Sequence, residues 1–518
     1  MLKIIYVGCN YSFWPDVAIN LSNIVDWQPI YWIGRSELKP RVVAEFPEVI
    51  YHPVIDAIRG INPLEIPPVI LDQPFLRSFA NTKIDTLKMM DRMSVLGSFD
   101  YAARDRLYHQ GLMYWRAVIE RYQPDLVVFG TIPHLVYDYL IYAVCRWTGI
   151  RTVMFESTPM RGLVFMEQRF DEQSQAERLY QDLMADGLPD EIPLQPETEA
   201  YLNALRGSYD HVPKYMRRVY KEEVPGRQPM GLSTALRKLV DFSDYGRFIH
   251  KQRLILKQKL SPPRSYQVKR GQTPEQSNIT WLDDRLIRWQ AKHYIRKLDA
   301  LYHHLAEEPD FNRPYIYVGL SFQPERTSSP MAGIYVNQNL MINMIASLIP
   351  SGWQVYVKDH PAQFLPSTHF RAQSGRTPFF YKDLAALPNV RLVPMATSSF
   401  DLTDHSRAIA TVTGTVGWEA LNRGKPVLLF GYSWYRGCEG TFQIDSQEEC
   451  AIALHQIESG CQVDPKKLRL FAHAMERVGI EGYVEPHLRV TEISEAENAD
   501  RLSKALIKFW ETADEVSV

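Results

Sequence analysis

Short apolar runs that end in glycine or a polar turn are the feature that most constrains the fold of this chain. In the first third of the sequence they are LKIIYV, IYWI, LVVF and TVMF, at residues 2–7, 30–33, 126–129 and 152–155. Segments with helical periodicity lie between several of them, such as LVYDYLIYAVCRW at 135–147, which ends just before Gly149. Strands that alternate with helices are typical of a parallel sheet covered by helices on both faces.

The same alternation begins again at Tyr315. The predicted strands are 315–320, 353–358, 390–394, 408–413 and 426–431, with helices at 333–348 and 417–422. A chain of 518 residues also exceeds what one hydrophobic core usually supports. We therefore predict an α/β fold with two Rossmann-like domains, over residues 1–205 and 306–480, and a helical tail over 481–518.

Residues 206–305, between the two domains, have a different composition. No strand pattern is present, and lysine and arginine outnumber aspartate and glutamate over 211–300. Apolar and aromatic residues alternate with the charges, as in FIHKQRLILKQKL (248–260) and RLIRWQAKHYIRKL (285–298). We predict a basic helical connector with solvated faces. An alternative interpretation is a surface that approaches anionic lipid.

Charge and cysteine content narrow the classes of protein that this chain can belong to. The net charge of −2 and the lack of any recognisable nucleic-acid module argue against nucleic-acid binding. The five cysteines are widely spread without CxxC spacing, which predicts neither a disulfide framework nor a zinc site. The N-terminus reads as a strand rather than a signal peptide, and no apolar stretch approaches the length of a membrane span. We expect a cytoplasmic protein.

The strongest local signal is the unit AIATVTGTVGWEALNRGKPVLLFG, at 408–431. Gly414 permits a tight turn after the strand, and the hydroxyls of Thr413 and Thr415 lie beside the exposed amides of a helix start, where a phosphate binds well. Glu419 in the first turn of the helix is placed to accept hydrogen bonds from ribose hydroxyls. The competing interpretation is an ordinary α/β crossover with glycine at its turns.

A second signal, Lys358-Asp359-His360-Pro361, follows the strand 353–358. Residues at the carboxyl end of a parallel strand face the ligand crevice of such sheets. A cationic Lys358 and a hydrogen-bonding His360 suit a leaving group whose negative charge grows during bond cleavage. Alternatively, His360 is a core histidine with satisfied hydrogen bonds.

A third polar segment, SFQPERTSSP at 321–330, follows the first strand of the second domain. Its Gln323 and Glu325 offer a donor and an acceptor at the edge where we expect a cleft between the domains. A polar linker loop explains the same composition.

In order along the chain, QPE, KDHP, HS followed by a strand, TGTVGWEAL, GKPVLLFG and WY resemble the bacterial capsule polysaccharide synthesis family, which includes capsular Kdo (3-deoxy-manno-octulosonate) transferases. The resemblance runs from Gln323 to Tyr435. It implies a GT-B glycosyltransferase with two Rossmann-like domains facing a cleft, and a tail helix at 497–512 that crosses back to the first domain. It also implies a nucleotide-sugar donor, often CMP-linked, and a glycan or glycolipid acceptor.

The resemblance also implies roles for individual residues. Lys358 and His360 correspond to the His-Pro element of the family near the nucleotide phosphate, while Thr413, Gly414, Thr415 and Glu419 correspond to the loop and helix that hold phosphate and ribose. Gln323 joins them as a donor-binding residue. We expect no metal and no further cofactor, because nothing in the sequence matches the paired Asp-x-Asp metal site of other glycosyltransferases.

An inverting transfer needs a base for the acceptor hydroxyl, which we expect from the first domain. Candidates there are Asp16, His134 and Glu156, each close behind a predicted strand, and Glu325 is a candidate from the other side of the cleft. Other functions that remain open are a CDP-glycerol-type glycerophosphotransferase, a non-catalytic sugar-nucleotide binding subunit of a glycan assembly complex, and a sugar-nucleotide epimerase.

Overall fold

The structure is a computed structural model. It describes residues 1–67, 69–93, 99–160, 162–207, 281–325, 327–364, 375–489 and 492–515. Most of the predicted basic connector, including the helix expected at 248–260, lies outside these residues.

The first part of the chain alternates strands with helices, as predicted. Its strands are β1 (Leu2–Val7), β2 (Trp27–Gly34), β3 (Ile50–Pro53), β4 (Leu126–Phe129), β5 (Arg151–Ser157) and β6 (Leu163–Glu167). Its helices are α1 (Trp14–Val25), α2 (Lys39–Glu45), α3 (Val54–Arg59), α4 (Gln73–Ser78), α5 (Ala80–Met89), α6 (Tyr101–Tyr122), α7 (Val136–Thr148), α8 (Gln175–Ala185) and α9 (Pro196–Arg206).

The first sheet has the strand order β6-β5-β4-β1-β2-β3, and β1 to β5 are parallel to one another. The central strands β1 and β4 are almost wholly apolar, and most of their side chains are buried. This pattern is expected where helices cover both faces of a sheet. Because the strands are parallel, their carboxyl ends lie along one edge.

The second part repeats the arrangement. Its strands are β7 (Tyr315–Gly319), β8 (Gln354–Lys358), β9 (Val390–Leu392), β10 (Ala408–Thr411), β11 (Val427–Leu429) and β12 (Thr441–Gln443). Its helices are α10 (Trp281–Leu305), α11 (Ser328–Met331), α12 (Gln338–Leu348), α13 (Pro378–Ala385), α14 (Ser399–His405), α15 (Thr415–Asn422), α16 (Gln447–Glu458) and α17 (Pro465–Val478). The strand order is β12-β11-β10-β7-β8-β9, and all neighbouring pairs are parallel.

The end of the chain returns to the first sheet. Strand β13 (Ile480–Glu481) pairs antiparallel with β6, and helix α18 (Glu495–Glu515) packs against α1. Leu502 and Leu506 of α18 are fully buried in the same core as Trp14 of α1. The tail helix therefore completes one face of the first sheet.

Helices α8 and α9 belong to the first half in sequence but pack on the second half. They follow the first sheet in sequence, yet α8 packs on α17 and α9 packs on α15. Their apolar residues share one core with strands of the second sheet. The predicted domain boundary near residue 205 stays a prediction.

The two Rossmann-like α/β units of the predicted GT-B fold are confirmed, with some elements revised. The continuous helix predicted over 333–348 is wrong, because Asn337 (φ −82°, ψ 86°) separates a 3₁₀ turn at Gly333–Val336 from α12. The strands β3, β6, β12 and β13 were not predicted. Each has only two to five residues, too few for a clear periodicity. None of the described helices is both long enough and apolar enough to cross a membrane.

We expect Leu502→Ala to lower the free energy of unfolding by about 2–5 kcal/mol, because it leaves a cavity between α18 and α1. Denaturant unfolding followed by far-UV circular dichroism measures the loss. Lys504→Ala on the same helix is the control, since its exposed ion pair with Asp500 contributes little. Equal stability of both variants would show that the tail helix does not belong to this core.

Candidate functional site

Arg92 joins the carboxyl edges of the two sheets. It ends a 3₁₀ turn at Met90–Arg92, and its guanidinium donates hydrogen bonds to the main-chain oxygens of His134 and Glu325, the latter at 3.2 Å. His134 lies in the loop after β4, and Glu325 lies in the loop after β7. The side chain of Arg92 therefore links His134 and Glu325, two residues from opposite halves of the chain that the sequence predicted for the site.

Arg436 makes a second connection between the halves. It follows β11, and it donates to the main-chain oxygen of Phe170 at 3.4 Å and lies 3.7 Å from a carboxylate oxygen of Glu177. The Phe170 and Tyr432 rings meet beside it, with centroids 6.1 Å apart. Because β6 runs antiparallel to β5, Phe170 lies away from the carboxyl ends of β1 to β5, and it is the Arg92 bridge that brings the two carboxyl edges together, as the predicted cleft requires.

Glu156, at the end of β5, lies near Arg436. Burial raises the pKa of Glu156 to about 8, the neighbouring carboxylate of Glu167 raises it further, and the charge of Arg436 opposes the rise. At neutral pH Glu156 is therefore mostly protonated and acts as a hydrogen-bond donor rather than a base.

The other two first-domain candidates differ in their surroundings. The Nδ1 of His134 lies 2.7 Å from the main-chain oxygen of Ile132. Because a carbonyl only accepts, Nδ1 carries the proton, and in the neutral ring Nε2 holds the lone pair. Asp16, in contrast, forms an ion pair with Arg41 of α2 in the helix layer of the first domain.

His360 has the opposite tautomer. Its Nδ1 accepts a hydrogen bond from the main-chain N–H of Ala362 at 3.1 Å and caps the 3₁₀ turn at Pro361–Gln363. The neutral ring therefore carries its proton on Nε2. Burial lowers the pKa of His360 to about 4, the charge of Asp359 opposes this, and those of Arg376 and Lys358 add to it. His360 is thus a neutral hydrogen-bond donor at neutral pH.

Lys358 ends β8 and is buried. Its Nζ donates to the main-chain oxygen of Thr397 at 2.6 Å and to the hydroxyl of Ser399 at 3.1 Å. These contacts tie β8 to the start of α14. The positive charge also disfavours protonation of His360, adding to the larger effect of burial on the pKa of that ring.

Gln323 and Glu325 occupy the loop after β7. Gln323 is buried: its main chain exchanges two hydrogen bonds of 3.0 Å with the amide of Gln363, and its own side chain donates to Ser328. Burial raises the pKa of Glu325 to about 7, although hydrogen bonds from Ser328 and the charges of Arg92 and Arg376 oppose the rise.

The turn from Thr413 to Glu419 lies beyond β10, at the start of α15. Gly414 precedes the helix, and its main-chain oxygen accepts a hydrogen bond of 2.6 Å from the Tyr435 hydroxyl. Gly417 makes this contact possible, because a Cβ there would lie 2.2 Å from the same hydroxyl oxygen. Thr415 is the first residue of α15. Burial raises the pKa of Glu419 to about 7, and the charge of Arg423 opposes the rise.

Buried polar atoms at the strand ends lack protein partners. Among the described residues, the Thr413 hydroxyl after β10, the Asn10 side-chain oxygen after β1 and the Ser157 hydroxyl at the end of β5 have no hydrogen-bond partner. Buried polar groups in proteins are nearly always paired. Similar atoms occur elsewhere in the described residues, but these three follow strands of both sheets and leave hydrogen-bonding capacity for a polar ligand at the carboxyl edges.

The sequence interpretation missed the residues that fix the loops after β7, β8 and β10, which together form the second-domain wall of the cleft. Asp359 is fully buried and pairs with Arg376, and Tyr435 fixes the turn at Gly414. Arg92 and Arg436, which cross between the halves, were also not singled out. An aspartate directly after a buried strand, as at Asp359, is a signal that a buried partner exists, but the position of that partner along the chain is not encoded locally.

The described part of the chain contains no group of three or more His, Cys, Asp or Glu side chains placed to hold a metal ion. The expectation that no metal is needed stays a prediction.

Comparison with known protein families gives one match. Residues 325–451 match the family described as capsule polysaccharide biosynthesis protein. This range contains every residue from Lys358 to Glu419 discussed above, and Gln323 lies just before it. No curated protein matches the chain.

Three solved structures are similar to this chain at low identity and low TM-score. The β-Kdo 2,7-transferase of KpsC from Thermosulfurimonas dismutans is 17% identical, with 44% of this chain and 67% of that chain covered and a TM-score of 0.24. The β-Kdo 2,4-transferase of the same protein is also 17% identical, with 36% and 54% covered and a TM-score of 0.22.

The third is the UDP-GlcNAc 2-epimerase from Neisseria meningitidis, which is 10% identical, with 98% and 100% covered and a TM-score of 0.23. Likenesses of this size say nothing about substrates. The family match confirms the resemblance noted in the sequence, and it covers residues 325–451, about a quarter of the chain.

Proposed function

We propose that this protein is a glycosyltransferase that moves a sugar from a nucleotide-activated donor, favoured as CMP-Kdo-like, to a capsular or other surface-glycan acceptor. One observation carries the proposal. The segment that matches the capsule family, 325–451, is also the segment that builds the wall with His360 and the turn from Thr413 to Glu419.

The start of α15 supports binding of the nucleotide phosphates. The first N–H groups of a helix have no partner within the helix and attract anions. The buried hydroxyl of Thr413 adds a donor without a partner among the described residues. Glu419, one turn into the helix, accepts hydrogen bonds from the ribose hydroxyls when its carboxylate is ionised.

His360 supports departure of the nucleotide. A neutral imidazole that donates from Nε2 stabilises the negative charge that develops on the leaving phosphate without a competing proton transfer. Its tautomer is set by the Ala362 N–H, so the donor is present before the substrate binds.

We assign the role of base to His134. Its Nε2 holds a lone pair in the neutral ring, because Nδ1 donates to Ile132. Arg92 links its loop to the loop of Glu325 on the donor side. Removing a proton from the acceptor hydroxyl needs such a lone pair, whereas Glu156 is mostly protonated at neutral pH.

Two asparagine variants test the histidine roles. In His360→Asn, the side-chain oxygen can still accept from the Ala362 N–H, but the Nε2 donor is lost, and we expect kcat to fall about 10²–10³-fold. In His134→Asn, the amide can still donate to the Ile132 oxygen, but the base is lost, and we expect a fall of about 10²–10⁴-fold. Sugar transfer from CMP-Kdo to a capsular acceptor measures both.

His405→Asn, at an exposed histidine of α14, is the control and should leave kcat unchanged. No transfer by the wild-type protein would overturn the transferase proposal, and full activity of both test variants in the folded state would overturn both histidine roles. If only His134→Asn retains activity, the assignment of the base is wrong and the role of His360 stands.

Nucleotide binding is tested by thermal shift with CMP, CDP, UDP and GDP. A ligand that binds only the native state raises the Tm, and we expect the cytidine nucleotides to do so most. Because the pKa of Glu419 is about 7, its carboxylate forms as pH rises from 6 to 8, so the shift should grow over that range. Glu419→Gln should remove this pH dependence.

A shift with UDP or GDP alone would exclude a cytidine donor and leave a glycosyltransferase with another donor. No shift with any of the four would contradict the nucleotide site itself.

We also propose that the protein contacts anionic membranes through an exposed surface of α10, the described end of the basic connector. Leu286 and Trp289 are exposed to 52% and 63% there, and Lys292 and Arg296 lie exposed beside them. Aromatic and cationic residues on one helix surface are typical of binding to anionic headgroups.

Co-sedimentation with phosphatidylcholine vesicles, with and without phosphatidylglycerol, tests this contact. We expect binding only to the anionic vesicles, and Lys292→Gln with Arg296→Gln should weaken it by about 1 kcal/mol for each charge. Ile452→Ala, which removes an exposed apolar residue from α16, is the control. Equal binding to both kinds of vesicle would contradict an electrostatic contact.

A further inference from the structure

A buried ion pair lies directly behind His360. The carboxylate of Asp359 accepts hydrogen bonds from Arg376, at 3.0 Å from Nε and 3.3 Å from a terminal nitrogen, and from the Tyr381 hydroxyl. The side chains of Asp359 and Arg376 are 0% and 2% exposed. The main-chain N–H of His360 donates to the same carboxylate at 2.7 Å.

Stability alone does not explain this pair. Removing two charges from water costs several kcal/mol per ion, and apolar residues of similar volume often replace such pairs without loss of stability. The well-attested use of buried polar groups is to select one arrangement among alternatives. The arrangement held here is that of the donor-site loops.

Arg376 reaches two of the three loops that carry the proposed donor residues, those after β7 and β8. Its guanidinium also donates to the main-chain oxygen of Ser321, at 3.0 Å, where β7 passes into the loop of Gln323. Gly375 packs against the same loop so closely that a Cβ there would lie 2.0 Å from the main-chain oxygen of Gln323. The pair 375–376 therefore fastens the ends of β7 and β8 to each other.

We propose that Arg376 is a positioning residue of the donor site. It fixes Asp359 and the end of β7. Through these contacts it holds the backbone of His360 in the geometry in which Nδ1 accepts from the Ala362 N–H and Nε2 carries the proton. The role of His360 in this inference rests on the proposed function. The positioning itself does not.

The charges that act on His360 make the proposal measurable. The carboxylate of Asp359 favours the protonated ring, whereas Arg376 and Lys358 disfavour it. Neutralising Arg376 removes one of the two positive charges that disfavour protonation of His360. It also leaves the negative charge of Asp359 without its ion-pair partner. The ring should then become easier to protonate, and its cap on Ala362 should weaken.

The test is Arg376→Gln, which removes the charge and keeps a hydrogen-bonding side chain, with Tyr381→Phe as a second variant that removes one donor to Asp359 and no charge. Nitrogen-15 NMR of histidine in the free protein reports the pKa and the tautomer of His360. We expect the pKa of His360 to rise by about one unit in Arg376→Gln, with Nε2 no longer the dominant site of the proton in the neutral ring.

Transfer activity gives an independent reading. Arg376→Gln should lower kcat about tenfold or more, because a small displacement of a catalytic group lowers the reaction rate steeply. The KM for the donor should change less than kcat, and the acid limb of the kcat profile should move to higher pH. Arg376→Lys, which restores the charge, should recover the pKa of His360 and part of kcat.

Arg391→Gln on the neighbouring strand β9 is the control, since that side chain forms an exposed ion pair with Glu307. An unchanged pKa and tautomer of His360 in folded Arg376→Gln would overturn the proposal. If Arg376→Gln does not fold, Tyr381→Phe decides: an altered His360 pKa or tautomer supports the proposal, and wild-type values overturn it. Because the NMR measurement needs no donor, it stands even if the protein transfers no sugar.

Discussion

The rest of this structure depends on two parallel sheets whose carboxyl edges face each other. Arg92 of the first half donates to the main-chain oxygens of His134 in its own half and Glu325 in the other, and Arg436 of the second half donates to that of Phe170 in the first. Arginine suits this task because its planar guanidinium carries five donors in fixed directions. The cleft therefore lies where main-chain oxygens of the loops accept hydrogen bonds from these arginines, and the side chains of the strand-end loops converge on it.

The two histidines of the cleft obtain opposite chemistry from their backbone contacts. The N–H of Ala362 forces the proton of His360 onto Nε2, and the oxygen of Ile132 forces the proton of His134 onto Nδ1. An identical side chain thus becomes a donor on one wall and an acceptor on the other. This division would suit the sugar transfer that we propose, which needs a donor for the leaving phosphate and a base for the acceptor.

Burial gives the carboxylates of the same region unusual pKa values. Those of Glu167, Glu325 and Glu419 rise to about 7, and that of Glu156 rises to about 8, in each case mainly through desolvation. These groups change charge in the neutral range, so the electrostatics of the cleft are sensitive to pH and to the charge of a ligand.

The sequence by itself determined the local elements and the chemistry of the donor wall. Strands such as β1 and β4, the turn at Gly414 and the position of His360 at a strand end follow from periodicity, glycine and proline, which act within a few residues. The order of the strands, the return of β13 and α18, the partner of Asp359 at Arg376 and the bridge from Arg92 to Glu325 were decided only by the tertiary structure. The last two pairs are 17 and 233 residues apart, and contacts at such separations depend on how the sheets assemble rather than on any local pattern.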